Sequence, residues 1–300
     1  MSKQQLELLV GDNAFHGISH LSQERARERS IKDNPSNVDY ATQLVNLSLQ
    51  NGANGFMFSV SETTLSILKG INQDNKPDLY AIVPYAYEYV RLATKVGGIS
   101  GLAKQVSRQI VFSRNIVSIA PNLISFLRVD PVAFLKTYLI YEISRIKSAA
   151  GNDANLKSVL LHEVITDMAL ALDLDWLFKA YVKFFSKSKI RPGFETRNFP
   201  YLMQKLNEWQ IDLNKITIAA SFNKVGFQMN PSKVDCENAL KSASGAQIIA
   251  MSILAAGYLA PSEAVTYIAN LPNIRMIVVG VSKERQAVET FNLFRKTLKT

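Results

Sequence analysis

One cysteine stands in 300 residues, Cys236, so an internal disulfide framework and a cysteine-rich zinc site are both excluded. Its neighbours Asp235 and Glu237 would hold a thiol protonated, and it is not read as a nucleophile. No apolar run approaches the roughly 20 residues that span a bilayer, and the first ten residues lack the basic, apolar and small-residue succession of a signal peptide. The expected location is therefore cytoplasmic. A glycine-rich nucleotide fingerprint is missing after the first strand, which counts against an open doubly wound sheet. Histidine is scarce as well: His16, His20 and His162 are the whole supply.

What is present describes a globular chain, with 47% hydrophobic and 20% charged residues and enough length for a large core. The net charge of +9 suits an anionic ligand, nucleic acid or an acidic membrane surface. Much of it falls in 97–150, where Lys104, Arg108, Arg114, Arg128, Lys136, Arg145 and Lys147 face only Asp130 and Glu142, seven against two. That apolar and basic segment is read as a helical insertion in a single 1–300 domain. It would serve as a lid or as a homo-oligomer contact, ahead of membrane contact because its arginines share no single face. Nucleic acid ranks last, since no aromatic and basic alternation accompanies the charge.

Along the chain, short apolar runs alternate with polar loops and helical repeats. The runs fall at 6–10, 55–60, 79–83, 158–161, 190–194, 216–220, 247–252 and the start of 274–294. Eight such strand and helix units predict an α/β chain folded as a (β/α)8 TIM barrel, with the insertion between the third and fourth strands. In that fold the chemistry sits on loops after the C-terminal ends of the strands. Asp12, His16, His20, Glu62, Tyr85, His162, Glu163, Glu195, Arg197, Asn223, Gln228 and Asn230 all fall there, and they include every histidine. His162 and Glu195 are the leading candidates for proton transfer, with Asp12 or His16 assisting or holding a metal. Each has a structural alternative: a satisfied histidine, an Asx turn at Asp12, and an Asn198 helix cap beside a surface-paired Glu195.

The stretch 274–294, IRMIVVGVSKERQAVETFNLF, carries the best physical case for an anion site. A β-branched strand reaches Gly280, read as a close turn, and Ser282 is the expected cap of the helix that follows. Exposed N–H groups and the helix dipole would then hold an anion at Gly280, Val281, Ser282 and Lys283, with Arg285 adding charge and Gly257 completing the pocket.

These residues resemble the aldo-keto reductase superfamily. IIAMSILAAGYLAPSEAVTYIANLPNIRMIVVGVSKERQAVETF is similar to that family's seventh strand, helix and eighth-strand Gly-x-Ser turn, which holds part of a nicotinamide cofactor. LVNLSLQNGANGFMFSVSETTL is similar to its helix, turn, second strand and Ser-Glu. The resemblance implies a barrel reductase with NAD or NADP as cofactor and an Asp, Tyr, Lys and His tetrad. Here FMFSVSE lacks the Asp and Tyr and AIVPYAY lacks the Lys, so only His162 falls on a matching position, and Tyr85 is the nearest substitute proton donor. Three functions follow as expectations. The first is acid/base chemistry on an anionic or phosphorylated small molecule. The second is NAD(P)H-dependent reduction with a rearranged donor. The third is a barrel that binds a ligand or partner without chemistry.

Overall fold

A computed structural model of the chain describes residues 6–16, 37–72, 76–84 and 131–298. Eight strands run through them in sequence order: β1 (Glu7–Gly11), β2 (Gly55–Ser59), β3 (Asp78–Val83), β4 (Asn155–Leu161), β5 (Arg191–Thr196), β6 (Thr217–Ser221), β7 (Gln247–Met251) and β8 (Ile274–Gly280). Each pairs in parallel with the next, and β8 pairs back onto β1 with Leu9 opposite Val278 and Gly11 opposite Gly280. The barrel is closed, as the count of eight predicts.

Both faces of such a sheet are covered, so the strands read as continuous apolar runs. Alternation along each strand then divides them into two cores. Leu9, Met57, Tyr80, Ile82, Leu160, Ala219, Ile249 and Met276 fill the lumen. Leu8, Val10, Phe56, Phe58, Ala81, Val159, Phe194, Ile218, Ile248 and Ile277 point outward to the helices. Gly193 belongs to the lumen set: a Cβ there would meet Leu160 Cγ at 2.6 Å and the Thr217 carbonyl oxygen at 3.1 Å.

The outer ring comprises α1 (Val38–Gln50), α2 (Glu62–Lys69), α3 (Pro131–Ala150), α4 (Glu163–Ala171), α5 (Asp175–Phe185), α6 (Phe199–Glu208), α7 (Lys233–Lys241), α8 (Pro261–Ala269) and α9 (Glu284–Leu298). Their starts are capped by local chemistry. Asn37 accepts from the Asp39 amide, Ser61 and Thr64 bond reciprocally at α2, and the Asn198 side chain accepts from the Tyr201 amide at α6. α4 is a helix beyond those that the sequence pattern predicts. The part of 97–150 that is described, α3, packs on α2 and α5 between β3 and β4, where the third strand and helix unit of the barrel places its helix. Residues 97–130 lie outside the described set. No described helix is long and apolar enough to cross a membrane.

Candidate functional site

The C-terminal ends of the strands surround a cavity of about 310 Å³. Its floor is the top of the apolar lumen: Met57, Ile82, Met251 and Val278. Asp12 from the β1 exit, Glu195 from β5 and Arg197 from its exit, Gln228, Ser252, Ala256 and Gly257 from the β6 and β7 exits, and Gly280, Val281, Ser282 and Gln286 from the β8 exit line its sides.

Asp12 follows β1 directly and is buried. Its Oδ2 accepts from the Ser59 amide at 2.7 Å and from His16 Nε2 at 2.9 Å, the imidazole being brought back by the short 3-10 turn Asn13–His16. The carboxylate is thereby fixed in one position at the cavity edge.

Glu195 was expected on the loop after the fifth strand, but β5 runs two residues further than the sequence suggested and carries it on the strand. The physical reason is the ladder to β6, in which Glu195 pairs with Ala219 and Thr196 with Ala220. With Arg191 and Gly193 it shares the lumen-facing side of β5, so its carboxyl enters the cavity from a rigid element. Burial, with the charges of Glu163 and Asp12 nearby, pushes its pKa from 4.5 up to about 8, against the opposing effects of the Glu163 amide and the Arg197 guanidinium. Its position thus favours the protonated form well beyond an ordinary carboxyl.

Arg197, which also lines the cavity, is engaged with Glu163: Nη2 donates to Oε1 at 2.9 Å and Nε pairs with the second oxygen. Asp167 on α4 accepts from the Arg197 amide at 3.0 Å and from the Thr196 hydroxyl, and burial raises its own pKa. The Glu163 amide donates to Glu195 Oε2 at 3.2 Å, so the N-terminus of α4 is tied to the carboxyl wall.

His162 closes β4, yet its ring caps α4, with Nδ1 accepting from the Val164 amide at 3.2 Å. That bond leaves the proton on Nε2, and burial lowers the ring's pKa. Its ring is not among the residues that line the cavity, and here the satisfied structural reading describes it better.

The β8 exit differs from expectation in two ways. The Lys283 carbonyl, rather than that of Ser282, accepts the first helical bond, from the Ala287 amide at 3.1 Å. Ser282 instead faces Gln286, whose Oε1 accepts from its amide at 3.0 Å and lies 3.2 Å from its hydroxyl. Lys283 and Arg285 are exposed and outside the lining, and Arg285 pairs with Glu289 along the helix. Gly257, Gly280, Val281 and Ser282 do meet at the cavity.

The remaining candidates separate clearly. Tyr85 and His20 lie outside the described residues. Glu62 is exposed and paired with Arg145. Asn223 is buried and clamps its own loop, accepting from the Phe227 amide and donating to the Phe227 carbonyl. Gln228 lines the cavity and bonds Ser252, whereas Asn230 uses its carbonyl to accept from Cys236. No cluster of three or more metal-ligating side chains exists among the described residues. Inward alternation at the strand ends points to the floor residues, whereas Ser252 reaches the cavity through a positive φ of 52° that breaks the alternation of β7 and that no sequence period signals.

The barrel is shared with solved aldo-keto reductases. A Pseudomonas aeruginosa protein described as an aldo-keto reductase superposes with a TM-score of 0.57 at 11% identity, covering 97% of this chain and 90% of that one. An aldo-keto reductase from Klebsiella pneumoniae, solved in complex with NADPH, superposes at 0.51 and 12% identity over 100% of this chain and 91% of the other. The chain matches no protein-family model and no curated protein sequence. Its architecture is thus the closed (β/α)8 barrel that these structures share.

Proposed function

We propose that this chain is a barrel enzyme that performs acid/base chemistry on a small molecule at the C-terminal face, with Glu195 as the proton donor. One observation carries the reading: a buried carboxyl on a barrel strand, beside Glu163 and Asp12, which raise its pKa, lines a cavity of about 310 Å³. Its floor is apolar and its walls hold a few fixed polar groups, the general make-up of a small-molecule site. Asp12, held by Ser59 and His16, brings a second fixed carboxyl to the same cavity. Glu195 and Asp12 thereby play the two roles that a pair of carboxyls in different environments can divide.

An anionic or phosphorylated group of the ligand would lie at the β8 exit, against Ser282 and Gln286. The donors there are the Ser282 amide and hydroxyl, which an anion would take over from Gln286 Oε1, since Lys283 and Arg285 do not line the cavity. To test the proposal, purified protein is incubated with a metabolite pool and conversion is followed by mass spectrometry. Glu195→Gln is expected to slow any conversion by about 10²-fold or more with binding retained, in line with the usual contribution of general acids. An unchanged rate would remove the proton-donor role.

The second reading is an NAD(P)H-dependent reductase with a rearranged donor. Its support is that Ser252, Gly257, Gly280 and Ser282, at the two strand exits similar to the family's cofactor-holding turns, share one cavity with a protonated carboxyl. A nicotinamide group held by Ser252, Gly257, Gly280 and Ser282 at the β7 and β8 exits would supply a hydride there. Calorimetric titration with NADPH tests this, and no heat of binding at millimolar cofactor would remove it. Binding without turnover of any pool component would leave the third reading, a barrel that holds a ligand without chemistry.

A further inference from the structure

β8 ends on a glycine that the backbone does not explain. Gly280 lies outside the left-handed region of φ, and a Cβ built on it meets nothing within 4 Å. Its register partner on β1 is the opposite case, since a Cβ on Gly11 would come within 3.0 Å of Val278 Cγ2. The two glycines sit side by side on the cavity rim, yet only at Gly11 would a Cβ be crowded. A glycine within a strand weakens it and often marks the close approach of a ligand. Along β8 the lumen-facing residues are Met276 and Val278, and Gly280 is next on that face, directly above the cavity floor.

We propose that Gly280 is the size-determining position of the cavity, where a missing side chain keeps open the space above Val278 and Met251 for the bulk of the ligand. The ligand is then one whose reacting group reaches the Glu195 wall while its remaining atoms lie against the β8 exit. The inference depends on the cavity being the ligand site and is independent of the proton-transfer step.

The test needs no natural ligand. The single native thiol, Cys236, is buried and its pKa is pushed up to about 11 by burial, so it stays silent to mild reagents. A reporter is placed on the floor as Met251→Cys in the full chain. Its labelling by methyl methanethiosulfonate and by the bulkier benzyl methanethiosulfonate is timed with Gly280 intact and with Gly280→Val or Gly280→Phe. The benzyl rate is expected to fall about tenfold or more with Val and further with Phe, and the methyl rate to fall less. Gly280→Val is expected to melt within about 2 °C of the parent, since its Cβ enters open space. Equal benzyl rates in all three backgrounds, a floor thiol unreactive beside Gly280, or a Val variant melting well below the parent would each overturn the proposal. Repeating the labelling in Glu195→Gln is expected to change nothing, so failure of the acid/base reading would appear in turnover alone.

Discussion

Glu195 shows how a residue acquires chemistry from its position on a strand. On an exposed loop its carboxyl would be ionised at neutral pH. Carried into the barrel mouth beside Glu163 and Asp12, it keeps its proton to about pH 8. The contribution of Asp12 has a definite sign, for its negative charge raises the Glu195 pKa. Asp12→Asn is therefore expected to move the alkaline limb of a pH-rate profile, where the donor loses its proton, to lower pH, and a limb that stays or moves upward would contradict the coupling. The sequence made Asp12 and Glu195 legible as polar residues after apolar runs. It could not show which imidazole faces the chemistry, because Val164 supplies an amide that turns the His162 ring toward α4. A histidine beside a helix start looks the same in sequence whether it caps the helix or serves a substrate.

Among the elements, the strands were the most legible, since β-branched runs bounded by polar loops have few other solutions in a chain of this length. Boundaries shifted where ladders extend beyond the apolar run, as in β5. α4 escaped notice for a different reason: Val164, Met168 and Leu172 follow at four-residue spacing on its exposed side, so the apolar contrast that marks a surface helix is blurred. Close packing inside the lumen gives a direct prediction. Gly193→Ala must displace Leu160 or the β6 backbone and is expected to cost about 1–3 kcal/mol in urea unfolding. The β7 exit gives the opposite one. Ala256 is held at φ 58°, ψ 27° on the cavity wall, a left-handed conformation that costs a residue with a Cβ. Ala256→Gly is expected to stabilise the folded chain by roughly 0.5–1 kcal/mol while loosening that wall, measurable as a higher unfolding midpoint with weaker ligand binding.

At the scale of the whole molecule, the closed barrel places residues from β1, β5, β7 and β8 around one cavity although they span most of the sequence. The count of eight apolar runs indicated this architecture, the resemblance of the C-terminal third pointed the same way, and superposition on aldo-keto reductases at 11–12% identity agrees with it. The reaction was less legible, because it depends on which side chains the barrel brings within reach and on how burial alters them. Global stability carries the imprint of that burial. Glu195 binds its proton more tightly folded than unfolded, so its contribution is fully present below pH 4.5 and is lost as pH rises to about 8. Wild-type stability is therefore expected to fall across that window relative to Glu195→Gln. The most direct measurement is the titration of the Glu195 carboxyl itself, followed by carbon-13 NMR in the full chain and assigned by its loss in Glu195→Gln. The account predicts a midpoint near 8. A midpoint at the ordinary 4.5 would leave an ionised carboxylate facing the cavity at neutral pH and contradict the proposed proton donor.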